Sequence, residues 1–285
     1  ILNVSLEKIL RASIRENYMQ RLLSELPQFF ITAPHECPYL DNRKERKLFA
    51  TLDSLNSVSL NNVLSKQGFR RSQNVLYRPA CTDCNACLSA RIVINNFKVS
   101  KSQKRLQKKN VIINRIIIRP FAKKDHYALF QRYVLARHKA GGMSDMSFYE
   151  FSSMVEDSNV FTKLIEYRDA NSILLGVCLT DVLDDGVSMV YSFFDPSLKT
   201  NSLGTYMILD HINYANELNL KYVYLGYWVQ GSNKMQYKSS FSGLEVFTSQ
   251  AWKTLTKESM CTNLNELSAE ETISKQVSNI KILDY

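Results

Sequence analysis

The spacing of apolar and polar positions becomes regular after residue 110, where runs of period two and period 3.6 succeed one another. Residues 111–118 predict a strand that stops at Arg119 and Pro120. Residues 125–140 predict a helix ending at Gly141 and Gly142, and 147–156 a second helix. Residues 161–168 and 173–182 predict strands, and Asp184, Asp185 and Gly186 a hairpin turn into a strand over 187–194. Asp195 and Pro196 end that strand, and 203–218 predicts a helix. A strand from Tyr222, a short helix capped by Ser232 or Asn233 and a last strand over 244–248 complete the order βααβββαβαβ.

The first part of the chain is less regular. Residues 1–25 read as an amphipathic helix, with Leu6, Ile9, Leu10 and Ile14 at helical spacing, broken at Leu26 and Pro27. Residues 43–55 fit either strand or helix. Gly68-Phe69-Arg70-Arg71 predicts a turn into a strand over 75–78, and 90–97 predicts another strand. Four regions result: a helical extension (1–25), an N-terminal region with a cysteine cluster (26–110), an α/β region (111–256) and an extension or tail (257–285), in which Ile273, Val277 and Ile280 keep weak helical spacing.

Hydrophobic content of 45% and charged content of 22% exclude a disordered chain. No apolar run reaches the length of a membrane span, and the start lacks the apolar block of a secretory signal, so the expected location is the cytoplasm. The net charge of +9 points to a polyanion only where it is clustered, and it is. Ser100 or Ser102 caps a helix on which Lys101, Lys104, Arg105 and Lys108 form one stripe without an acid, a phosphate-backbone partner in prospect.

Three of the six cysteines lie within residues 81–87, too concentrated for a secreted disulfide framework. Cys81, Cys84 and Cys87 offer three thiolates in one turn, with Cys37 as a fourth. That set suits a structural or regulatory zinc ion or an iron–sulfur cluster, or else a thiol-rich turn packed on the sheet. Cys178 reads as packing.

The stretch 222–241 carries the strongest site signal. Tyr222, Tyr224 and Gly226 would share one strand face, with Val223, Leu225 and Tyr227 on the other. Gly226 lets a ligand or backbone approach closely. Tyr227 and Trp228 follow at the strand end, and Lys234 and Lys238 would share a face of the next helix, together an anionic-ligand site. The order of elements resembles the acetyltransferase-type (GNAT-like) fold, in which a ligand enters where two central strands splay. A coenzyme A cradle in such a fold needs a Gly-rich helix start. At 201–206 this chain has a single glycine, Gly204, among bulky residues, and together with the polyanion patch on the basic helix this favours an acyl donor carried on RNA.

Several long motifs then resemble one family: Cys37-Pro38-Tyr39-Leu40, Gly68-Phe69-Arg70-Arg71, Tyr77-Arg78-Pro79, the cysteine cluster, Ser100-x-Ser102-Gln103-x-Arg105, the run from Asp181 to Pro196 and all of 222–241. They look like the aminoacyl-tRNA–protein transferases of the N-degron pathway, and the Pro-Tyr-Leu form looks like the bacterial aspartate/glutamate leucyltransferase branch. The resemblance covers about residues 26–252, with Lys104 where arginine is commoner. It implies transfer of leucine, or alternatively arginine, from tRNA to the α-amine of proteins beginning with Asp or Glu. It requires no cofactor, membrane or DNA. The implied roles are a proton acceptor at Asp195 (otherwise a turn cap) and oxyanion donors at Tyr191, Tyr227 or the backbone near Gly226. Carboxylate-binding cations would be Arg78 and Arg91 with Lys234 or Lys238, beside Trp228. Lys101, Ser102, Gln103, Lys104, Arg105 and Lys108 would contact tRNA. A coenzyme A acyltransferase of the same fold and a non-catalytic RNA-binding module are the competing functions.

Overall fold

The computed structural model describes residues 27–53, 56–82, 84–137, 143–232, 234–248, 251–256 and 273–282. The helix expected over 1–25, most of the tail, Cys261, Asn233 and the glycines at 141–142 lie outside the described residues.

The described chain opens with strands β1 (Phe29–Ile31), β2 (His35–Glu36), β3 (Lys44–Glu45) and β4 (Lys47–Thr51). After a helix over Ser57–Lys66, β5 (Arg70–Ser72) and β6 (Val75–Pro79) join β1 and β4 in an antiparallel sheet of order β1-β4-β6-β5. β7 (Cys87–Val93), β8 (Asn114–Ile118), β9 (Thr162–Arg168), β10 (Leu174–Val182), β11 (Gly186–Phe194), β12 (Tyr222–Val229), β13 (Leu244–Thr248) and β14 (Ala251–Thr254) build the second sheet. Its order is β14-β13-β7-β12-β11-β10-β9-β8, antiparallel throughout except where β11 meets β12. The class is therefore the mixed α/β one expected.

Period-two alternation decides what covers each face. Val177 and Leu179 of β10 pack with Phe130 and Phe151 of the helices Lys124–Arg137 and Phe148–Glu156. Cys178, between them, turns to the opposite face and packs with the helix Leu203–Glu217 through Met207 and Ile208. Burying each such large apolar side chain contributes roughly 1.5–3 kcal/mol. The smaller sheet has its own core of Leu48, Leu52, Leu60, Leu64, Phe69 and Leu76, joined by Val277 from the helix Ile273–Ser278 and by Ile280 and Ile282 just after it.

Two expectations change, and one helix appears that the pattern did not indicate. A regional boundary at residue 110 does not separate the sheets, because β7 lies inside the larger one between β12 and β13. The strand expected over 111–118 begins only at Asn114, since 110–113 form a turn. The helix Ser57–Lys66 was not legible because it buries Asn61 and Ser65 beside Leu60 and Leu64, so its inner face does not look apolar.

Candidate active site

β11 and β12 run in parallel for three residue pairs only, Gly186 with Tyr222, Val187 with Val223 and Ser188 with Tyr224, and then separate. On the other edge of β12, pairing with β7 slips between Tyr224 and Gly226, which makes Leu225 the extra residue of a bulge. The bulge reverses the phase of the strand. Val223, Leu225 and Trp228 join the core under the helix Leu203–Glu217, whereas Tyr227 and Val229 turn to Tyr39 and Tyr77. The expected pairing of Tyr227 with Leu225 on one face fails for this reason.

Gly226 has φ +81°, and a Cβ there would sit 2.8 Å from the Arg70 guanidinium carbon. The close approach read from this glycine is thus made by a side chain of the smaller sheet. Arg70 Nη2 donates to the carbonyls of Met189 (2.8 Å) and Val190 (3.4 Å), on β11 past the end of its pairing with β12. Arg70 Nη1 is buried without a hydrogen-bond partner.

Lys238 lies beside it, 5% exposed, and its Nζ donates to the Tyr227 carbonyl at 2.5 Å. Burial first, and the Arg70 charge second, lower the ammonium to about 7. Among the described residues neither cation has a carboxylate partner. The walls are phenols. Tyr227 Oη donates to the Tyr77 carbonyl at 3.0 Å, and the two rings meet edge to face. Burial, the largest influence, pushes Tyr39 up to about 12 and raises Tyr191 and Tyr227 as well, so all stay neutral.

The other expected residues are distributed as follows. Lys234 is exposed while Lys238 is buried, because the lysine segment is a turn followed by a 3-10 helix over Gln236–Ser240 and not a continuous α-helix. Arg78 alternates with Tyr77 on β6. It stacks over Phe69 at 4.9 Å and donates to the Gln276 carbonyl, on the core side of the small sheet. Arg91 is held by Glu245 (2.8 Å) and sits over Tyr222 (3.6 Å) and Trp252 (4.2 Å). Trp228 is in the large core, its indole N–H buried without a partner. Tyr227 spends its hydroxyl on Tyr77 and is no oxyanion donor, whereas half-buried Tyr191 packs on Phe130 and Phe193. Asp195 Oδ1 accepts from Ser197 N and Oγ, and Oδ2 lies 3.5 Å from Arg132, the turn-cap arrangement.

The basic helix Lys101–Lys109 forms as read, with Ser100 as N-cap in a reciprocal capping box with Gln103. Gln103 is therefore buried and occupied, not a surface contact. Lys101, Ser102, Lys104, Arg105 and Lys108 are exposed, and the four cations have no ion-pair partner among the described residues. The end of this helix is tied to the loop that a coenzyme A cradle would use. Asn110 Nδ2 donates to the Asn201 backbone carbonyl (3.0 Å) and Asn201 Nδ2 to Asn110 Oδ1 (3.1 Å), Lys109 donates to the Thr200 carbonyl, and Phe194 crowds Gly204 at 3.1 Å from a Cβ position.

Cys37, Cys81, Cys84 and Cys87 are free thiols in one neighbourhood. Burial, then mutual repulsion with its neighbours, raises Cys87 to about 12, and burial raises Cys81 too. Among the described residues no three His, Cys, Asp or Glu side chains group closely enough to hold a metal ion.

In the sequence Arg70 stands out only as part of Gly68-Phe69-Arg70-Arg71. Its signal was Gly226, but the group filling the glycine's space lies 156 positions earlier (226 − 70) and no local pattern names it.

Family models described as "Arginine-tRNA-protein transferase, N terminus" and "Arginine-tRNA-protein transferase, C terminus" match residues 35–105 and 125–248. A Ruegeria pomeroyi protein named aspartate/glutamate leucyltransferase is 52% identical over 268 residues, 93% of this chain and 98% of that protein. Proteins of the same name from Dinoroseobacter shibae (50%, covering 93% of this chain and 97% of that protein) and Paracoccus denitrificans (46%, 93% and 98%) are similar in extent.

Proposed function

The chain belongs to the arginine-tRNA–protein transferase family, in its bacterial aspartate/glutamate leucyltransferase branch, and on that premise we propose that it transfers leucine from leucyl-tRNA to the α-amine of proteins beginning with Asp or Glu, marking them for N-degron proteolysis. The observation that carries the reading is identity of about half over nearly the whole length of enzymes named for that transfer. The geometry agrees with it. The coenzyme loop is filled by Asn110, Asn201 and Phe194, while a stripe of exposed cations faces solvent on the adjoining helix.

The chemistry asks little beyond placement. An ester-linked leucine is already activated, and holding it in line with the amine supplies effective molarity. The α-amine, with a pKa of roughly 8, is partly neutral at physiological pH. Its nitrogen bonds to the ester carbonyl carbon, the carbon–ribose oxygen bond breaks, and the proton lost by nitrogen ends on the departing ribose hydroxyl. The gap between β11 and β12 is where the reacting groups meet, with backbone N–H groups of β12 near Gly226 as oxyanion donors. The cations of the basic helix take tRNA phosphates. No helix among the described residues is long and apolar enough to cross a membrane, and we place the reaction in the cytoplasm.

The test offers labelled leucyl-tRNA and arginyl-tRNA, separately, with peptides beginning Asp, Glu, Arg or Ala. Leucine should appear on the Asp and Glu peptides alone. Labelling only from arginyl-tRNA would move the protein to arginyl transfer, and labelling from neither would remove the reading.

A further inference from the structure

We propose that Arg70 and Lys238 together form the receptor for the acidic side chain of the acceptor's first residue. The inference rests on the transfer reading above and assigns its specificity to two named cations.

Two positive groups lie beside each other, Lys238 buried and Arg70 half-buried, with no anion between them among the described residues. Lys238 is 5% exposed, and Arg70 keeps a buried N–H₂ group, Nη1, that donates to nothing. Their present partners are backbone carbonyls, of Met189 and Val190 for Arg70 and of Tyr227 for Lys238. Carbonyls satisfy hydrogen bonds but do not cancel charge. Burying an unpaired ion is costly, and the cost persists only where something else compensates it. A carboxylate entering the gap supplies the missing negative charge and an acceptor for Nη1.

The other cations named for this role do not join them, and Lys234 stays in solvent on the turn before the 3-10 helix. Arg91 is bound to Glu245 and Arg78 lies over Phe69, while Arg71 is paired with Asp181 at 2.6 Å. The neighbouring phenols are neutral and bring no competing charge. An aspartate and a glutamate differ by one methylene, which the flexible lysine stem absorbs. An asparagine of the same size leaves both cations unneutralised, and that is the discrimination required. The competing anion is a phosphate of the tRNA end. The carboxylate is favoured because these cations are enclosed, whereas the exposed stripe on the basic helix already suits a phosphate backbone.

Steady-state transfer from leucyl-tRNA to otherwise identical peptides beginning Asp or Asn decides the matter. Arg70→Gln and Lys238→Gln should each reduce the Asp-over-Asn ratio of kcat/KM about 30-fold or more, the loss expected for one partner of an enclosed charge pair. Leucyl-tRNA affinity should be retained. Added guanidinium should restore part of the ratio in Arg70→Ala. An unchanged ratio in a variant that melts cooperatively overturns the proposal, as does loss of tRNA affinity with the ratio intact. Should an Arg70 variant not fold, Lys238→Gln carries the decision. A separate readout needs no turnover: Asp-Ala dipeptide should raise the melting temperature of the wild type more than Asn-Ala does. Equal effects overturn the receptor even if transfer is real. A shift specific for Asp-Ala in a protein that transfers no leucine keeps the receptor and removes the transfer reading instead.

Discussion

Arg70 and Arg71 leave the same short strand and reach into the same large sheet, but they meet opposite environments. Arg71 finds Asp181 on β10, with Nε 2.6 Å from one oxygen and Nη2 2.7 Å from the other, and Thr162 and the Gln73 carbonyl take two more of its donors. Both members of that pair are almost wholly buried. Arg70 finds carbonyls, a glycine and another cation. A guanidinium answered by a carboxylate of its own chain is a rivet between the two sheets. One left unanswered is a place for an anion that arrives later.

The largest effect expected tests the rivet. Asp181→Ala leaves the Arg71 charge buried alone and should cost about 3–5 kcal/mol. Urea denaturation measures it, and a loss below about 1 kcal/mol would show that the pair does not join the sheets. Any folded remainder should keep its preference for acidic acceptors, since the rivet does not touch the gap.

The next effect has the opposite sign. Lys238 has a folded value of about 7 against an ordinary 10.5, so its charged form is disfavoured in the native protein. The native state therefore bears the full penalty below pH 7, and the penalty fades as pH rises toward 10.5, where the unfolded lysine also loses its proton. Lys238→Met should gain a few kcal/mol at pH 6 and much less near pH 10, less about 1 kcal/mol for the Tyr227 carbonyl left without its donor. Chemical denaturation at the two pH values reads the difference. A stability change that does not vary with pH would mean that Lys238 is already neutralised in the folded protein, and the contrast with Arg71 would vanish. For the same reason binding of an Asp-Ala dipeptide should weaken as pH passes upward through about 7, because the cation it needs is lost there.

The residues on each side of this contrast differ in how far the chain pattern reveals them. Strands β9 to β13 follow from period-two runs bounded by turn residues, and the basic helix from its stripe and its serine cap. Local signals suffice there because each element is stabilised by its own spacing. The gap is built otherwise. A bulge at Leu225 inverts the face of Tyr227, and a 3-10 turn buries Lys238 while Lys234 stays in solvent. Arg70 comes from another sheet. Arg78 and Arg91 look equally suitable in one dimension, and only the parity of β6 and the Glu245 side chain on β13 remove them. Register slips and partners far along the chain carry no local signature.

A smaller effect separates the enclosed cations from the exposed ones. Replacing Lys104, Arg105 and Lys108 by glutamine removes three candidate phosphate contacts. The slope of log affinity for tRNA against log salt should then fall by about 2–3, at 0.7–0.9 per contact. Transfer to Asp and Asn peptides should decline in equal proportion, because tRNA binding precedes any choice of acceptor. A changed Asp-over-Asn ratio would assign acid recognition to the helix and break the division between the two groups.

The smallest effect belongs to Asp195, and it discriminates because two roles predict very different numbers. As a proton acceptor its loss would slow single-turnover transfer by roughly 10²–10⁴. The structure instead spends Oδ1 on Ser197 N and Oγ, as the cap of the turn after β11. Oδ2 faces Arg132 at 3.5 Å, a side chain 56% exposed, and such solvent-screened pairs are worth about 0–1 kcal/mol. Asparagine keeps the Oδ1 acceptor and therefore the turn after β11. Asp195→Asn should lower the single-turnover rate less than about fivefold, the range of the weak ion pair it removes. A fall of a hundredfold with tRNA affinity intact would restore Asp195 as the base.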